Sequence, residues 1–233
     1  MRSIDKRELF YDSFDGFEES LSVYDTSRRV EVLIGQFLGA EKLKGKKVLD
    51  VGAGLGFFSK AMSEMGADVL ATDLAPNLVE KIKQRVGCPS VCADALALEK
   101  QFGQGAFDVV ISSEAIEHTP DPNAALREMA AVLKPGGLLS VSTPNLVWYP
   151  VVRGATLLKA RPFEGFENFS TFGSMRKTLE GCGLTIVKEQ GLHLFPFQLG
   201  MHGVSRWMDG NLQGLRGLMI NLCVLAQKPG GGK

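Results

Sequence analysis

The segment Val48-Leu49-Asp50-Val51-Gly52-Ala53-Gly54-Leu55-Gly56 constrains this chain more than any other. Branched apolar residues that end in three glycines at every second position read as a buried strand running into a tight turn that opens a helix. Glycine is needed in that turn because the backbone takes angles closed to residues with a Cβ, and because a ligand can then lie directly on the main chain. Behind the loop, Phe57, Phe58, Ala61, Met62 and Met65 recur at helical spacing and face one side.

The same alternation continues. Strands are expected over 48–51, 69–72, 90–92, 107–111 and 138–142, with two more over 184–189 and 218–227. Asp121 and Pro122 open a helix whose buried stripe is Leu126, Met129, Ala130 and Leu133, and Lys134-Pro135-Gly136-Gly137 stops it. Strands separated by helices imply an α/β fold with a doubly wound, mostly parallel seven-stranded sheet. At 233 residues the chain is sized for one domain. It divides into an N-terminal helical cap (1–45), a ligand-binding half (46–145), a lid insertion (146–183), the last two strands (184–228) and a disordered tail (229–233). The cap carries Phe10, Tyr11, Phe14, Phe17 and Tyr24, then a helical pattern through Val30, Leu33, Ile34, Phe37 and Leu38.

Twenty-six basic residues balance twenty-six acidic ones, so no long-range field holds a phosphate backbone, and nucleic acid is not expected as a partner. No apolar run approaches the roughly 18 residues of a membrane span, and residues 1–9 lack the apolar core of a secretory signal, which makes a cytoplasmic location the expectation. Cys88, Cys92, Cys182 and Cys223 form no CxxC pair and read as reduced, structural thiols.

Asp73 closes the second strand, where its carboxylate can accept hydrogen bonds from both hydroxyls of a ribose; Asp94, after the third strand, is placed to meet an adenine amino group. A dinucleotide-binding dehydrogenase shares these features but wants a third glycine at position 57, which is Phe here. With Asp50 two residues ahead of Gly52, the loop resembles that of the class I S-adenosylmethionine-dependent methyltransferases. The likeness continues in order through Ala71-Thr72-Asp73-Leu74, Ala93-Asp94-Ala95, Phe107-Asp108-Val109-Val110 and Leu133-Lys134-Pro135-Gly136-Gly137. It implies S-adenosylmethionine as cofactor, with Gly52, Ala53 and Gly54 on its methionine part, Asp73 on the ribose and Leu74 against the adenine. Asp50, Asp94, Ala95 and Ser113 complete the expected cofactor set.

After the fourth strand comes Ser112-Ser113-Glu114-Ala115-Ile116-Glu117-His118. In a helical turn, Glu114, Glu117 and His118 lie at i, i+3 and i+4 on one face. Two carboxylates and an imidazole can hold a divalent metal such as magnesium, which would stabilise a phenolate; equally, they can be pocket residues that shape the cofactor site. The segment resembles the ubiquinone-pathway O-methyltransferases, whose Glu, Glu and His positions are associated with such a metal. The same resemblance puts Arg29, or its neighbour Arg28, near the cofactor, and matches Gly191-Leu192-His193 after the sixth strand. Residues 145–169 depart from that family's variable insertion, which contacts the acceptor.

That insertion mixes Arg153, Lys159 and Arg161 with Trp148, Leu157, Leu158, Phe163, Phe166 and Phe169, so 146–169 can cover a hydrophobic acceptor, rest on a membrane surface, or pack as a helix with a solvated face. His193, after a parallel strand, is a candidate general base beside Glu117 and His118; His202 has no such placement. The sequence thus leads to a methyltransferase acting on a small-molecule hydroxyl such as that of a quinol or catechol. A nitrogen or carbon acceptor and a non-catalytic cofactor-binding module are the alternatives, and the oligomeric state is not legible. An exocyclic base nitrogen is not the expected acceptor, because the sequence lacks an Asn-Pro-Pro-Tyr or Asp-Pro-Pro-Tyr motif.

Overall fold

The structure is a computed structural model and describes residues 3–9, 22–158, 165–195 and 200–231. Seven strands, β1 Lys47–Val51, β2 Asp68–Asp73, β3 Ser90–Cys92, β4 Phe107–Ser113, β5 Leu133–Pro144, β6 Thr185–Leu192 and β7 Asn221–Gln227, form one sheet in the order β3-β2-β1-β4-β5-β7-β6. All pairings from β3 to β5 are parallel, and only β7 runs against its neighbours β5 and β6. Helices cover both faces: α1 Val23–Val30, α2 Gly39–Leu43, α3 Phe57–Glu64, α4 Pro76–Val86, α5 Leu98–Phe102, α6 Pro122–Val132, α7 Tyr149–Leu157, α8 Phe172–Gly181 and α9 His202–Asn211.

The period-2 geometry of the strands sorts the core into two layers. Val110 of β4 packs with Leu49, Leu126, Met129, Leu139 and Leu179 on one face. Its neighbours Val109 and Ile111 join Val48, Leu33, Ile34, Phe37 and Met62 on the other. The helical pattern through Leu33 and Phe37 therefore lies on the sheet, where α1 widens into a π-helical turn over Glu31–Gln36.

Local chemistry sets the boundaries. Asp121 accepts the Ala124 N–H and Pro122 occupies the first turn of α6, as the sequence implies. Thr171 and Ser174 form a reciprocal capping box at the start of α8. Three expectations are corrected. Leu133 belongs to β5 rather than to the helix, and 134–137 bulge within the strand, where pairing steps from Phe107↔Leu133 to Val109↔Leu138 and Gly136 takes a φ of 79°. The last strand starts at Asn221, because Gln213–Leu218 forms a 3-10 helix. The sixth strand extends to Leu192.

Cys223 is buried, but Cys92 is exposed, so the structural role expected for the thiols does not extend to it; all four are unpaired. Among the described residues no helix is long and apolar enough to cross a membrane. In the insertion, Leu146, Val147, Val151, Leu157 and Leu158 are exposed. Phe10, Tyr11, Phe14 and Phe17 of the expected cap, and Lys159, Arg161 and Phe163 of the insertion, lie outside the described residues, as does the end of the tail.

Candidate active site

A cavity of about 330 Å³ opens at the carboxyl ends of β1, β2 and β4, where ligands bind in parallel α/β sheets. The residues assigned to the cofactor from sequence meet there: Arg29, Asp50, Gly52, Ala53, Gly54, Asp73, Leu74, Asp94, Ala95 and Ser113 all line it.

Gly52, Gly54 and Gly56 have φ values of 70°, 56° and 79°, in the left-handed region that favours glycine. A Cβ on Gly52 would also collide with the Cβ of Ala115. The loop is anchored to β2, since the Ala53 N–H donates to the Thr72 carbonyl at 2.9 Å and the Gly54 N–H to Asp73 Oδ2 at 3.0 Å. Asp73 Oδ1 accepts the Ala75 N–H at 3.0 Å, which fixes the carboxylate in position. Asp94 accepts the Leu96 N–H at 2.9 Å. Asp50 is buried and accepts the Ser59 hydroxyl at 2.5 Å; burial pushes its carboxyl up to about 7.

Arg29 is the one Lys or Arg among the described lining residues, and it is buried. Its Nη1 donates to Ser113 Oγ at 2.6 Å and its Nε to Asp25 Oδ2 at 3.1 Å. Arg28 points elsewhere, to Glu31 and Asp209. Burial works against ionisation of Asp25, yet the adjacent Arg29 and His193 outweigh it and hold the carboxyl below its usual range.

His193 departs from its expected role as a base. It does emerge at the cofactor end of β6, but it is 0% exposed and is not among the residues lining the cavity. Its Nε2 lies 3.0 Å from Asp25 Oδ1, a carboxylate that can only accept, so that nitrogen carries a proton. Asp25 stands between this ring and Arg29.

The segment after β4 is also arranged differently from a helical face. Glu114 has a φ of 51°, and the 3-10 turn starts only at Ile116, so Glu114 is not on one face with Glu117 and His118. Glu114 Oε2 accepts from Asn221 at 2.8 Å, and Glu117 Oε2 accepts from Thr143 at 3.2 Å. Among the described residues no group of three or more His, Cys, Asp or Glu is placed to hold a metal ion. The three residues thus do not fit the metal site, and they read as pocket residues instead. Burial raises Glu114 to about 7, and burial with the Glu114 charge raises Glu117 well above the usual carboxyl range. His118 Nδ1 lies 2.9 Å from the Phe166 carbonyl; a carbonyl only accepts, so Nδ1 is protonated and Nε2 is the basic nitrogen of the neutral ring.

Sequence reasoning missed Asp25 and Glu8 on the cavity wall, whereas Glu167 and Phe169 there belong to the insertion expected to cover an acceptor. The i, i+4 spacing of Asp25 to Arg29 on one helix was the available signal for the first. Glu8 comes from a distant segment with no motif around it.

A family model described as a methyltransferase domain matches residues 49–141. The chain is 32% identical over 168 residues to a ubiquinone biosynthesis O-methyltransferase of Coxiella burnetii, covering 67% of this chain and 70% of the relative. It is 46% identical over 110 residues to the protein of that name from Xanthomonas campestris pv. campestris, covering 44% and 45%. Solved S-adenosylmethionine-dependent methyltransferases share the fold: one from Mesorhizobium loti (TM-score 0.66, 20% identity, 87% of this chain and 100% of that one) and one from Archaeoglobus fulgidus (TM-score 0.67, 18% identity, 94% and 100%). The chain belongs to the class I S-adenosylmethionine-dependent methyltransferases.

Proposed function

We propose that this methyltransferase acts on the hydroxyl oxygen of a small molecule such as a quinol or catechol, with His118 as the general base. The observation that carries this reading is the tautomer of His118, whose ring lines the cavity with Nδ1 committed to Phe166. The residues present fit the cofactor. The glycine loop offers bare backbone, Asp73 presents a fixed carboxylate, Arg29 supplies one buried cation, and Glu114 Oε1 is a buried oxygen with no hydrogen-bond partner among the described residues. When bound, S-adenosylmethionine supplies an electrophilic sulfonium methyl.

The remaining chemistry belongs to the chain. Arg29 would hold the methionine carboxylate, Asp73 the ribose hydroxyls, and Leu74, Asp94 and Ala95 the adenine. His118 Nε2 takes the acceptor's hydroxyl proton, with Glu117 Oε1 3.8 Å away on the same wall. Alignment of oxygen and methyl within the cavity supplies much of the rate. Phe169, with the Tyr149 ring edge-on to it at 5.5 Å, offers an aromatic wall to a ring-bearing acceptor. The names of the curated relatives support an oxygen acceptor. The exposed apolar residues of 146–158 support contact of this segment with a hydrophobic acceptor or a membrane surface.

The test is conversion of S-adenosylmethionine to S-adenosylhomocysteine against a panel of quinols, catechols and amines, in buffer with and without chelator. Turnover with a quinol or catechol, unchanged by chelator, is expected. Turnover confined to amines would refute the hydroxyl reading, and chelator sensitivity would restore the metal.

A further inference from the structure

The structure assigns Asp25 and His193 as positioning residues that set the Arg29 guanidinium at the methionine-carboxylate end of the cavity. This rests on the cavity being the S-adenosylmethionine site. Arg29 donates to Asp25 Oδ2 through Nε at 3.1 Å, and its Nη2 lies 3.0 Å from the same oxygen, so the carboxylate sits against one edge of the guanidinium and fixes its plane. The opposite oxygen, Asp25 Oδ1, is taken by His193 Nε2 at 3.0 Å. The His193 ring is itself enclosed, with Nδ1 3.4 Å from Ser205 Oγ on α9 and the Tyr24 ring 5.7 Å away. The chain of contacts therefore runs from α9 through the end of β6 and α1 to Ser113 at the end of β4.

Backbone conformation singles out the same place. Among the described non-glycine residues only Glu114 and His193 have positive φ, 51° and 63°. A Cβ residue held there is strained, and such strain persists where surrounding structure over-determines it, commonly at functional sites. At His193 the strained turn leaves the ring against Asp25 at the end of β6. A guanidinium buried without this carboxylate would be left with Glu114 and Glu117, carboxyls that burial drives toward their neutral forms.

The experiment compares two ligands by calorimetry on the full chain: S-adenosylhomocysteine, and 5′-methylthioadenosine, which lacks the amino-acid part. His193→Asn suits the left-handed backbone but is too short to keep the contact with Asp25; His193→Gln keeps an N–H donor with longer reach. His193→Asn and Asp25→Asn are each expected to weaken S-adenosylhomocysteine by roughly 10-fold and 5′-methylthioadenosine by less than about 2-fold, with His193→Gln recovering most of the loss. Equal losses for both ligands, or no loss of S-adenosylhomocysteine affinity in folded His193→Asn, would overturn the assignment. A variant that fails to fold is replaced by Ser205→Ala, for which a smaller loss confined to S-adenosylhomocysteine is expected and an equal loss for both ligands is contrary. Wild-type protein that binds neither ligand would overturn the cavity reading itself.

Discussion

The two sides of the cavity are built by opposite strategies. On the cofactor side, Gly52, Gly54, Asp73 and Asp94 sit at the ends of consecutive strands, and their contacts are short-range: Gly54 to Asp73 spans 19 residues and Asp73 to Ala75 only two. On the acceptor side, contacts join remote segments. His118 reaches Phe166 across 48 residues and Asn168 reaches Thr119 across 49; Arg29, which reaches Ser113 across 84, brings the same strategy to the methionine end of the cofactor side. A site made of backbone and strand ends can be written in a compact motif. A site made of side chains from several loops is specified only by the folded whole, and there the chemistry can change while the cofactor end stays fixed.

The largest effect should come from Gly52→Val. Left-handed backbone strain and the collision with Ala115 add, at about 2–6 kcal/mol together, and cofactor binding should become undetectable by calorimetry. Near-normal binding would mean that the loop is more yielding than its geometry indicates. His118→Ala comes next, on the other side of the comparison. Loss of a general base lowers kcat by about 10²-fold or more, while the dissociation constant for S-adenosylmethionine should stay within about twofold. A full kcat in that variant would pass the role to Glu117.

Asp73→Ala should weaken S-adenosylmethionine by about 1 to 3 kcal/mol, the loss of a charge-assisted acceptor. An unchanged dissociation constant in the folded variant would remove Asp73 from the ribose site. The smallest effect concerns Asp50. Its folded carboxyl keeps a proton up to about pH 7, whereas an unfolded one releases it near pH 4. The folded chain therefore binds more protons in that window, and stability falls as pH rises through it and levels off above. Asp50→Asn should flatten this part of the pH profile of unfolding free energy by on the order of 1 kcal/mol, because relaxation relieves part of a burial shift. An identical slope in both proteins would show that Asp50 is ionised in the fold.

The same contrast explains what could be read from the sequence. The five parallel strands, the capped α6 and the meeting of the strand-end residues at one cavity were legible because each depends on local periodicity, a cap or a strand end. The 134–137 run does end the helical stripe and a strand does follow it, but Pro and Gly do not tell that pairing already starts at Leu133 and bulges through them on the way to Pro144. His193 does lie at the expected end of β6, but nothing near it in sequence says that Asp25 stands between it and Arg29. Glu114, Glu117 and His118 fit a metal face only if the turn is helical from its first residue, and the positive φ of Glu114 prevents that.

The most direct test measures, on the same two variants, the dissociation constant for S-adenosylmethionine and the single-turnover rate at saturating cofactor with an active acceptor. Asp73→Ala should bind weakly yet react at close to the wild-type rate once saturated. His118→Ala should bind normally and react slowly. Loss of both properties in both variants, or weakened binding with an unchanged rate in His118→Ala, would contradict a division of the cavity into a side that holds the cofactor and a side that moves the proton.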